Sequence, residues 1–290
     1  MEFLELAARG KTAWWRYGVA VILALLLWIA GLIAIFIPIL LFKLAPSDFS
    51  QLIVDPSRPA FFYGATGLMF GLLVLALALA AYLMHRKTMA DIIGRWRWSY
   101  TLTAAGLWLV FCVAAALLDY GLRPSGFRVT LGSQWLTLAL WAAPSLAIQT
   151  FAEEFIFRGY ITQGLLLAVK RPLIAAAISS VIFATAHIPN GVPEAVNALA
   201  FGFVTALIAM RTGGIAFTWG LHFTNNLFAA VVVVSTSDVL HGSPAIITQA
   251  TPGLMWFDVA AACVGFAAIA WAAVRVSQNQ AMVGALRFRT

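Results

Sequence analysis

A small set of ionisable side chains lies inside long apolar stretches in the second half of the chain: Glu153, Glu154, Arg158, His187 and His222. A charge at the centre of a bilayer costs roughly 2.5–3.5 kcal/mol even on mild insertion scales, so exposure of these groups to lipid is unfavourable. We therefore expect them to share a protein-lined or water-filled cavity. Carboxyl and imidazole groups held together in this way are typical of general acid–base chemistry.

Helical spacing assigns partners to the acidic groups. Glu154 precedes Arg158 by four residues, which is the favourable order for an ion pair along one helix. Glu153 is rotated by about 100° from Glu154 and has no such partner on its own helix. We therefore predict that Glu153 is the general base, with Arg158 as the structural counter-ion. Glu154 is interpreted as an organiser of the cavity, with direct participation as the alternative.

Two further polar positions complete the expected site. His222 and Asn226 are four residues apart, so an imidazole and a carboxamide share one helix face and can both donate hydrogen bonds to one oxyanion. Asn225 faces elsewhere and is the competing candidate. If residues 170–172 form the turn of a helical hairpin, Glu153 and His187 lie at similar heights on its two arms.

The composition shows what kind of protein must position these groups. Apolar residues make up 62% of the 290 residues and charged residues only 10%, which excludes a domain with a water-facing surface. The net charge of +7 lies in short segments between apolar runs, so it does not indicate nucleic-acid binding. Cys112 and Cys263 each lie alone in an apolar run, which excludes a disulfide framework and a thiolate zinc site.

A bilayer core requires about 20 apolar residues per helix. The apolar runs therefore predict an all-α polytopic membrane protein with about eight spans and a catalytic cavity between the fourth, fifth and seventh. We treat residues 1–290 as one integral membrane domain, with the motifs in residues 135–235. The predicted spans cover residues 18–41, 60–84, 100–118, 135–169, 173–187, 195–210, 215–235 and 254–274.

The distribution of cations predicts the orientation. With the amino terminus in the cytoplasm, most Lys and Arg residues of the connecting segments lie inside, and the outer segments hold only Lys43, Arg58, Arg123 and Arg128. This positive-inside bias predicts that both termini are cytoplasmic. We expect the protein to lie in a bacterial inner membrane.

Three strings on successive apolar runs carry a family resemblance: Glu153-Glu154-x-x-x-Arg158, Phe183-x-x-x-His187 and His222-x-x-x-Asn226. Together they resemble the CPBP family, which comprises CAAX prenyl proteases, bacteriocin-processing proteins and the Abi group. The resemblance implies an eight-helix intramembrane endopeptidase. In it, Glu153 activates water, His187 assists, and His222 and Asn226 stabilise the oxyanion. Phe183 is expected to shape the cavity by packing.

The resemblance leaves the role of a metal open. Glu153, His187 and His222 are a ligand set that zinc accepts, with water in an open position. However, the chain has no HExxH string and Asn is a poor zinc ligand, so a metal-free base explains Asn226 better. We therefore expect no cofactor, with zinc as the alternative.

The expected partners are membrane lipid and a membrane-associated peptide or protein substrate, and no nucleic acid. Two other functions stay open. One is a non-catalytic membrane scaffold or immunity protein, since a fold does not guarantee turnover. The other is a proton-coupled transporter, because buried carboxylates and histidines also mark ion paths. The sequence shows no inverted repeat, which disfavours the transporter.

Overall fold

The structure, a computed structural model, describes residues 2–236, 239–250 and 256–287. Helices make up most of the described chain, which confirms the predicted all-α polytopic membrane fold. A helix satisfies its own backbone polar groups, which lipid cannot do, so long apolar runs fold as helices. The α-helices are α1 (Glu2–Ala7), α2 (Trp14–Leu41), α3 (Phe49–Leu52), α4 (Pro59–His85), α5 (Met89–Ile93), α6 (Trp98–Leu122), α7 (Trp135–Glu153), α8 (Thr162–Val169), α9 (Pro172–Thr185), α10 (Val192–Thr212), α11 (Ala216–Val231) and α12 (Trp256–Arg287).

Shorter elements join these helices. A π-helical segment (Glu154–Ile161) connects α7 to α8, and 3₁₀ turns occupy Pro124–Gly126 and Ile188–Asn190. A small sheet, absent from the predicted fold, is formed by β1 (Phe127–Val129), β2 (Val233–Ser235) and β3 (Ile247–Gln249). Its order is β1-β3-β2, antiparallel between β1 and β3 and parallel between β2 and β3. It links the loop after α6 to the loop after α11.

Six helices in the described part of the chain are long and apolar enough to cross a membrane: Trp14–Leu41, Pro59–His85, Trp98–Leu122, Trp135–Val169, Val192–Thr212 and Trp256–Gln278. The predicted fifth and seventh spans correspond to α9 and α11, which are shorter, with 14 and 16 residues. The predicted start of the last span at Leu254 lies outside the described residues. The count of eight crossings stays a prediction.

Helix packing brings the motif-bearing elements together. α7 lies between α4 and α11, and α11 also packs against α6. α10 packs between α9 and α12 and contacts both α11 and the π-helical segment. The site therefore lies where the fourth predicted span meets α9, α10 and α11.

Close contacts fix the position of α11. A Cβ atom on Gly220 would lie 2.3 Å from the carbonyl oxygen of Thr101, so only glycine lets α6 and α11 approach this closely. Thr101 Oγ1 donates to the carbonyl of Ala216 across the same contact (3.0 Å). On its other side, Trp219 Nε1 donates to the carbonyl of Ala147 in α7 (3.1 Å). These contacts set the face of α11 that points towards α7.

Candidate active site

The helix that carries both glutamates changes its hydrogen-bond pattern at the site. α7 ends at Glu153, and the π-helical segment Glu154–Ile161 forms hydrogen bonds between residues five positions apart. The carbonyl of Phe157 accepts from the hydroxyls of Thr162 (2.7 Å) and Ser179 (3.2 Å). These hydroxyl donors, from α8 and α9, support the widened turn. Such turns inside α-helices are frequent at functional sites.

Glu154 is completely buried and lies between a cation and an imidazole. Its Oε2 is 3.5 Å from Arg158 Nε, so the two groups form the ion pair that their spacing predicts. Its Oε1 accepts a hydrogen bond from His222 Nδ1 at 2.9 Å. Glu154 therefore links the π-helical segment to α11, as an organising residue would.

Arg158 is buried to the same degree, with 1% of its surface exposed. Its Nε donates to Thr205 Oγ1 in α10 (2.8 Å), and its guanidinium lies 4.2 Å from the ring centroid of Phe183 and 5.0 Å from that of Phe201. These ring faces contribute cation–π attraction. Nη1 and Nη2 have no hydrogen-bond partner among the described residues.

Glu153 differs from Glu154 in exposure and in partners. Its side chain is 15% exposed, against 0% for Glu154. Gln149, one helical turn earlier in α7, donates a hydrogen bond from Nε2 to Glu153 Oε1. The second oxygen, Oε2, lies 3.6 Å from His222 Nε2. Glu153 therefore lacks a cationic partner on its own helix, as predicted, but it is held by an amide and faces an imidazole.

Both ring nitrogens of His222 face a carboxylate. An ionised carboxylate only accepts hydrogen bonds, so Nδ1 carries a proton and donates it to Glu154. In a neutral ring Nε2 is then an acceptor, and a hydrogen bond to Glu153 requires a proton on Nε2 or on the carboxyl. The arrangement suits a pair of groups that exchange a single proton.

Asn226 joins the same network through Gln149. Asn226 Nδ2 donates to Gln149 Oε1 at 3.0 Å, and Asn226 Oδ1 accepts from Asn225 Nδ2 at 3.1 Å. The side chain of Asn225 is directed elsewhere and accepts from Trp108 Nε1 in α6 (3.1 Å). Of the two asparagines, Asn226 is therefore the one that lies next to the acidic groups.

His187 lies in a different local structure from the one predicted. α9 ends at Thr185, because Pro189 has no N–H with which to continue the helical ladder, so His187 lies in the turn that follows. Its Nδ1 donates to the carbonyl of Phe183 (3.0 Å), which leaves Nε2 as the acceptor of the neutral ring. Within the described residues, His187 makes no hydrogen bond to Glu153.

Phe183 lies at the centre of the cluster. It is 2% exposed, and its ring centroid is 4.5 Å from that of His187 and 6.4 Å from that of His222. It also packs against Phe157 at 4.9 Å. The expectation that Phe183 shapes the site by packing agrees with these contacts, and through Phe183 the turn with His187 reaches the rest of the site.

Sequence reasoning missed two residues that hold the predicted ones. Gln149 bridges Glu153 and Asn226, and Thr205 accepts from Arg158. A signal for Gln149 was present, because it is a polar residue in an apolar run four positions before Glu153 and therefore on the same helix face. No comparable signal exists for Thr205, since it lies on a helix that carries none of the motifs.

The described residues do not assemble a three-ligand metal site. No group of three or more His, Cys, Asp or Glu side chains in the described part of the chain is arranged to hold a metal ion. Glu153 and His222 meet, but His187, the third residue of the alternative zinc set, lies apart from them. A catalytic zinc needs three protein ligands, so these residues in this arrangement do not fit one.

The structure contains an apolar groove of about 680 Å³. It lies between α4 and α7, and Trp219 forms part of its wall three residues before His222 on α11. Among its other lining residues are Gly67, Gly71, Trp96, Ile148 and Phe151. The candidate catalytic residues are not among its lining residues, and Trp219 is the lining residue on the helix that carries His222.

Comparison with known proteins agrees with the motif resemblance. Residues 134–228 match the family model described as type II CAAX prenyl endopeptidase Rce1-like, a segment that contains every predicted site residue. The uncharacterized protein YyaK of Bacillus subtilis (strain 168) is 30% identical over 175 residues, which are 56% of this chain and 58% of that protein. The match thus spans little more than half of that relative. A search of the solved structures found no significant match.

Proposed function

We propose that this chain, whose residues 134–228 match the Rce1-like family model of type II CAAX prenyl endopeptidases, hydrolyses a peptide bond of a membrane-associated peptide or protein with Glu153 as the base. One observation carries the proposal. The partly exposed carboxylate of Glu153 faces His222 at 3.6 Å, and the fully buried Glu154 holds the opposite nitrogen of the same ring. An acid, an imidazole and a second acid aligned in this order suit proton transfer to and from water.

The proposed reaction begins with a water molecule beside Glu153. Glu153 removes a proton as the water oxygen bonds to the substrate carbonyl carbon, and the C–N bond then breaks as that proton passes to the leaving amine. His222 Nε2 faces the carboxyl and supports this transfer, while Glu154 fixes the ring orientation through Nδ1. A positioned base of this kind contributes about 10²–10⁴-fold.

Asn226 is assigned to the oxyanion. Its Nδ2 carries two hydrogens, of which one is donated to Gln149, so the second is available to a developing negative charge. His222 donates to the same oxyanion when its Nε2 carries the proton. His187 takes the assisting role that the family resemblance implies. No step is routed through zinc, because the residues do not fit a three-ligand site.

The substrate enters beside an apolar surface. We assign the groove between α4 and α7 to the apolar part of a membrane-anchored substrate, since Trp219 in its wall precedes His222 by three residues on α11. We further propose a bacterial inner membrane with both termini cytoplasmic. Orientation is tested with Arg86→Cys, an exposed position after α4, in a chain whose Cys112 and Cys263 are replaced by Ala. Labelling by an impermeant thiol reagent added outside would refute this orientation.

The activity is tested in cells that produce the parent protein or the Glu153→Gln variant at equal levels. Mass spectrometry of membrane peptides should show cleavage products with the parent that disappear with Glu153→Gln. Glu5→Gln in α1 is the matched control, because it makes the same chemical change on an exposed side chain that is distant from Glu153 in the sequence. Products that persist with a folded Glu153→Gln variant would refute the base assignment.

The alternative functions give different results in purified material. Cleavage lost on strict chelation and restored by Zn²⁺ would overturn the metal-free mechanism. Substrate-coupled proton flux into liposomes without cleavage would indicate a transporter. A folded protein with neither activity would indicate a scaffold or immunity protein.

A further inference from the structure

A continuous chain of hydrogen bonds leads from α6 to the candidate base. Trp108 Nε1 donates to Asn225 Oδ1 (3.1 Å), and Asn225 Nδ2 donates to Asn226 Oδ1 (3.1 Å). Asn226 Nδ2 then donates to Gln149 Oε1 (3.0 Å), and Gln149 Nε2 donates to Glu153 Oε1. Three helices, α6, α11 and α7, are thus connected through side chains alone.

The two ends of this chain fix its direction. The indole N–H of Trp108 can only donate, and the ionised carboxylate of Glu153 can only accept. Each of the three carboxamides between them therefore has one orientation that satisfies both of its neighbours. Reversing Gln149 alone would place its carbonyl against a carboxylate and its NH₂ against the NH₂ of Asn226. The orientation of Asn226 thus depends on groups that do not touch the substrate.

We infer that Gln149 is a positioning residue for the reaction, and this inference rests on the proposed function. Its NH₂ group holds Glu153 Oε1, which leaves Oε2 directed at His222. Its carbonyl holds one hydrogen of Asn226 Nδ2 and so directs the other hydrogen away from α7. One side chain therefore sets both the base and the oxyanion donor, two groups that come from different helices.

Among the described residues, Gln149 forms side-chain hydrogen bonds with Glu153 and Asn226 alone. Gln149 lies in α7, between Ile148 and Thr150, where methionine would fill a similar volume. Its two described hydrogen bonds both go to candidate active-site residues. By contrast, Gln163 in α8 binds Lys87 and the backbone carbonyls of Asp91 and Ile92, away from the site. Gln163 is therefore the matched control.

The first test is Gln149→Met in the full chain, reconstituted in liposomes with a membrane-anchored peptide cleaved by the parent. Loss of the outer groups that orient metal ligands lowers activity about 10–100-fold, and Gln149 orients Glu153 and Asn226 in a comparable way. We expect a loss of this size in kcat with little change in KM, because Gln149 does not touch the substrate. Gln163→Met should lower the melting temperature but keep kcat per folded molecule. A Gln149→Met variant with the parent's kcat would overturn the inference.

The second test uses Gln149→Glu, which keeps the side-chain length and the acceptor for Asn226. The new carboxyl can donate to Glu153 only while it carries a proton. Activity of this variant should therefore first rise as the pH is lowered, while the two carboxyls come to share one proton, and fall once a second proton neutralises Glu153. The parent needs only the ionised base, so its activity should fall without that initial rise. A pH profile of the same shape as the parent's would contradict the positioning role, even if Gln149→Met failed to fold.

A third variant, at Trp108, tests whether the loss of kcat becomes smaller with distance from Glu153 along the series of hydrogen bonds. Trp108→Phe removes the remote donor but keeps a ring to stack on Phe111 and Phe266. We expect a smaller loss of kcat than with Gln149→Met, because Asn225 can still orient against Asn226. A larger loss of kcat than with Gln149→Met would contradict the proposal that Gln149 acts on Glu153 directly and Trp108 only through the intervening carboxamides.

The same experiment separates this inference from the proposed function. If Glu153→Gln cleaves as fast as the parent, the proposed function and the inference both fail. If Glu153→Gln is inactive and Gln149→Met is as active as the parent, only the inference fails.

Discussion

Lys87 and Arg158 are both buried cations with 1% of their surface exposed, but their hydrogen bonding differs. Lys87 Nζ donates to the carbonyls of Leu6 (3.3 Å) and Ala7 (2.8 Å) and to Gln163 Oε1 (3.0 Å). An ammonium has three hydrogens to donate, so Lys87 is fully satisfied. These contacts join α1 to the segment between α4 and α5 and to α8.

Arg158 uses only part of its capacity. Its Nε donates a hydrogen bond to Thr205 Oγ1 and lies 3.5 Å from Glu154 Oε2. Nη1 and Nη2 have no hydrogen-bond partner among the described residues. Buried polar groups are normally satisfied, and exceptions often lie at functional sites. From this comparison we expect the Lys87 contacts to serve stability, and the cluster around Arg158 to hold the candidate active-site groups at a cost in stability.

Among the residues around the base, removal of the proposed oxyanion donor Asn226 should have a large effect on catalysis. Asn226→Leu removes the N–H donor and leaves Gln149 Oε1 without its partner. Loss of one such donor typically costs about 10²–10³-fold in kcat. The expected result is a loss of that size in the liposome assay, with a melting temperature close to that of the parent. Retained kcat would show that Asn226 only joins helices.

The buried ion pair should show strong coupling between its members. Glu154→Gln and Arg158→Met should each cost about 3–5 kcal/mol, because removal of one partner leaves an uncompensated buried charge. The double variant should cost less than the sum of the two. Thermal unfolding of all four proteins in one detergent gives the coupling. Strict additivity would mean that the two groups do not interact, despite their 3.5 Å separation.

Lys87→Met should affect stability and leave catalysis intact. It removes the Lys87 donor from the carbonyl of Ala7 and from Gln163 Oε1, whereas the carbonyl of Leu6 keeps its hydrogen bond from Arg9 N–H. Unsatisfied buried groups cost about 1–3 kcal/mol each. We expect this loss to outweigh the relief of burying a charge, so the melting temperature should fall. The value of kcat per folded molecule should match the parent's. A loss of kcat without a loss of stability would contradict the proposal that the Lys87 contacts serve stability alone.

Titration of Lys87 should also make the free energy of unfolding depend on pH, as a smaller effect. Burial lowers the pKa of Lys87 from its ordinary value of 10.5 to about 8. Between these pH values the unfolded chain binds a proton that the folded protein has released, so the free energy of unfolding rises with pH. This contribution is lost as the pH falls through about 8. Melting temperatures of the parent relative to Lys87→Met should show this rise, and parallel curves would contradict it.

The apolar pattern predicted the helices well because lipid leaves the backbone no alternative. The run 60–84 corresponds to Pro59–His85, and the run 195–210 to Val192–Thr212. Sequence did not predict the three-residue strands, since pairing of β1 with β3 depends on two loops meeting in space. Nor did it predict the end of α9 before His187, although Pro189 carried that signal.

At the site, the spacing of residues along one helix predicted which side chains meet. Contacts between different helices could not be predicted from the sequence. Four-residue spacing predicted the Glu154–Arg158 pair, because both groups lie on one helix. The placement of His222 between the two carboxylates depends on how α11 is rotated against α7, which glycine and tryptophan contacts set. Gln149 was missed for the same reason, since its partner Asn226 lies on another helix.

We propose that Glu153 activates water, whereas the cluster around Lys87 stabilises the fold. This proposal is tested most directly by purifying the parent, Glu153→Gln and Lys87→Met and measuring peptide cleavage and thermal unfolding on the same liposome samples. We expect Glu153→Gln to lose about 10²–10⁴-fold in cleavage rate with little change in melting temperature, as loss of a general base predicts. Lys87→Met should show the reverse. Cleavage by a folded Glu153→Gln variant at the parent's rate would contradict the account.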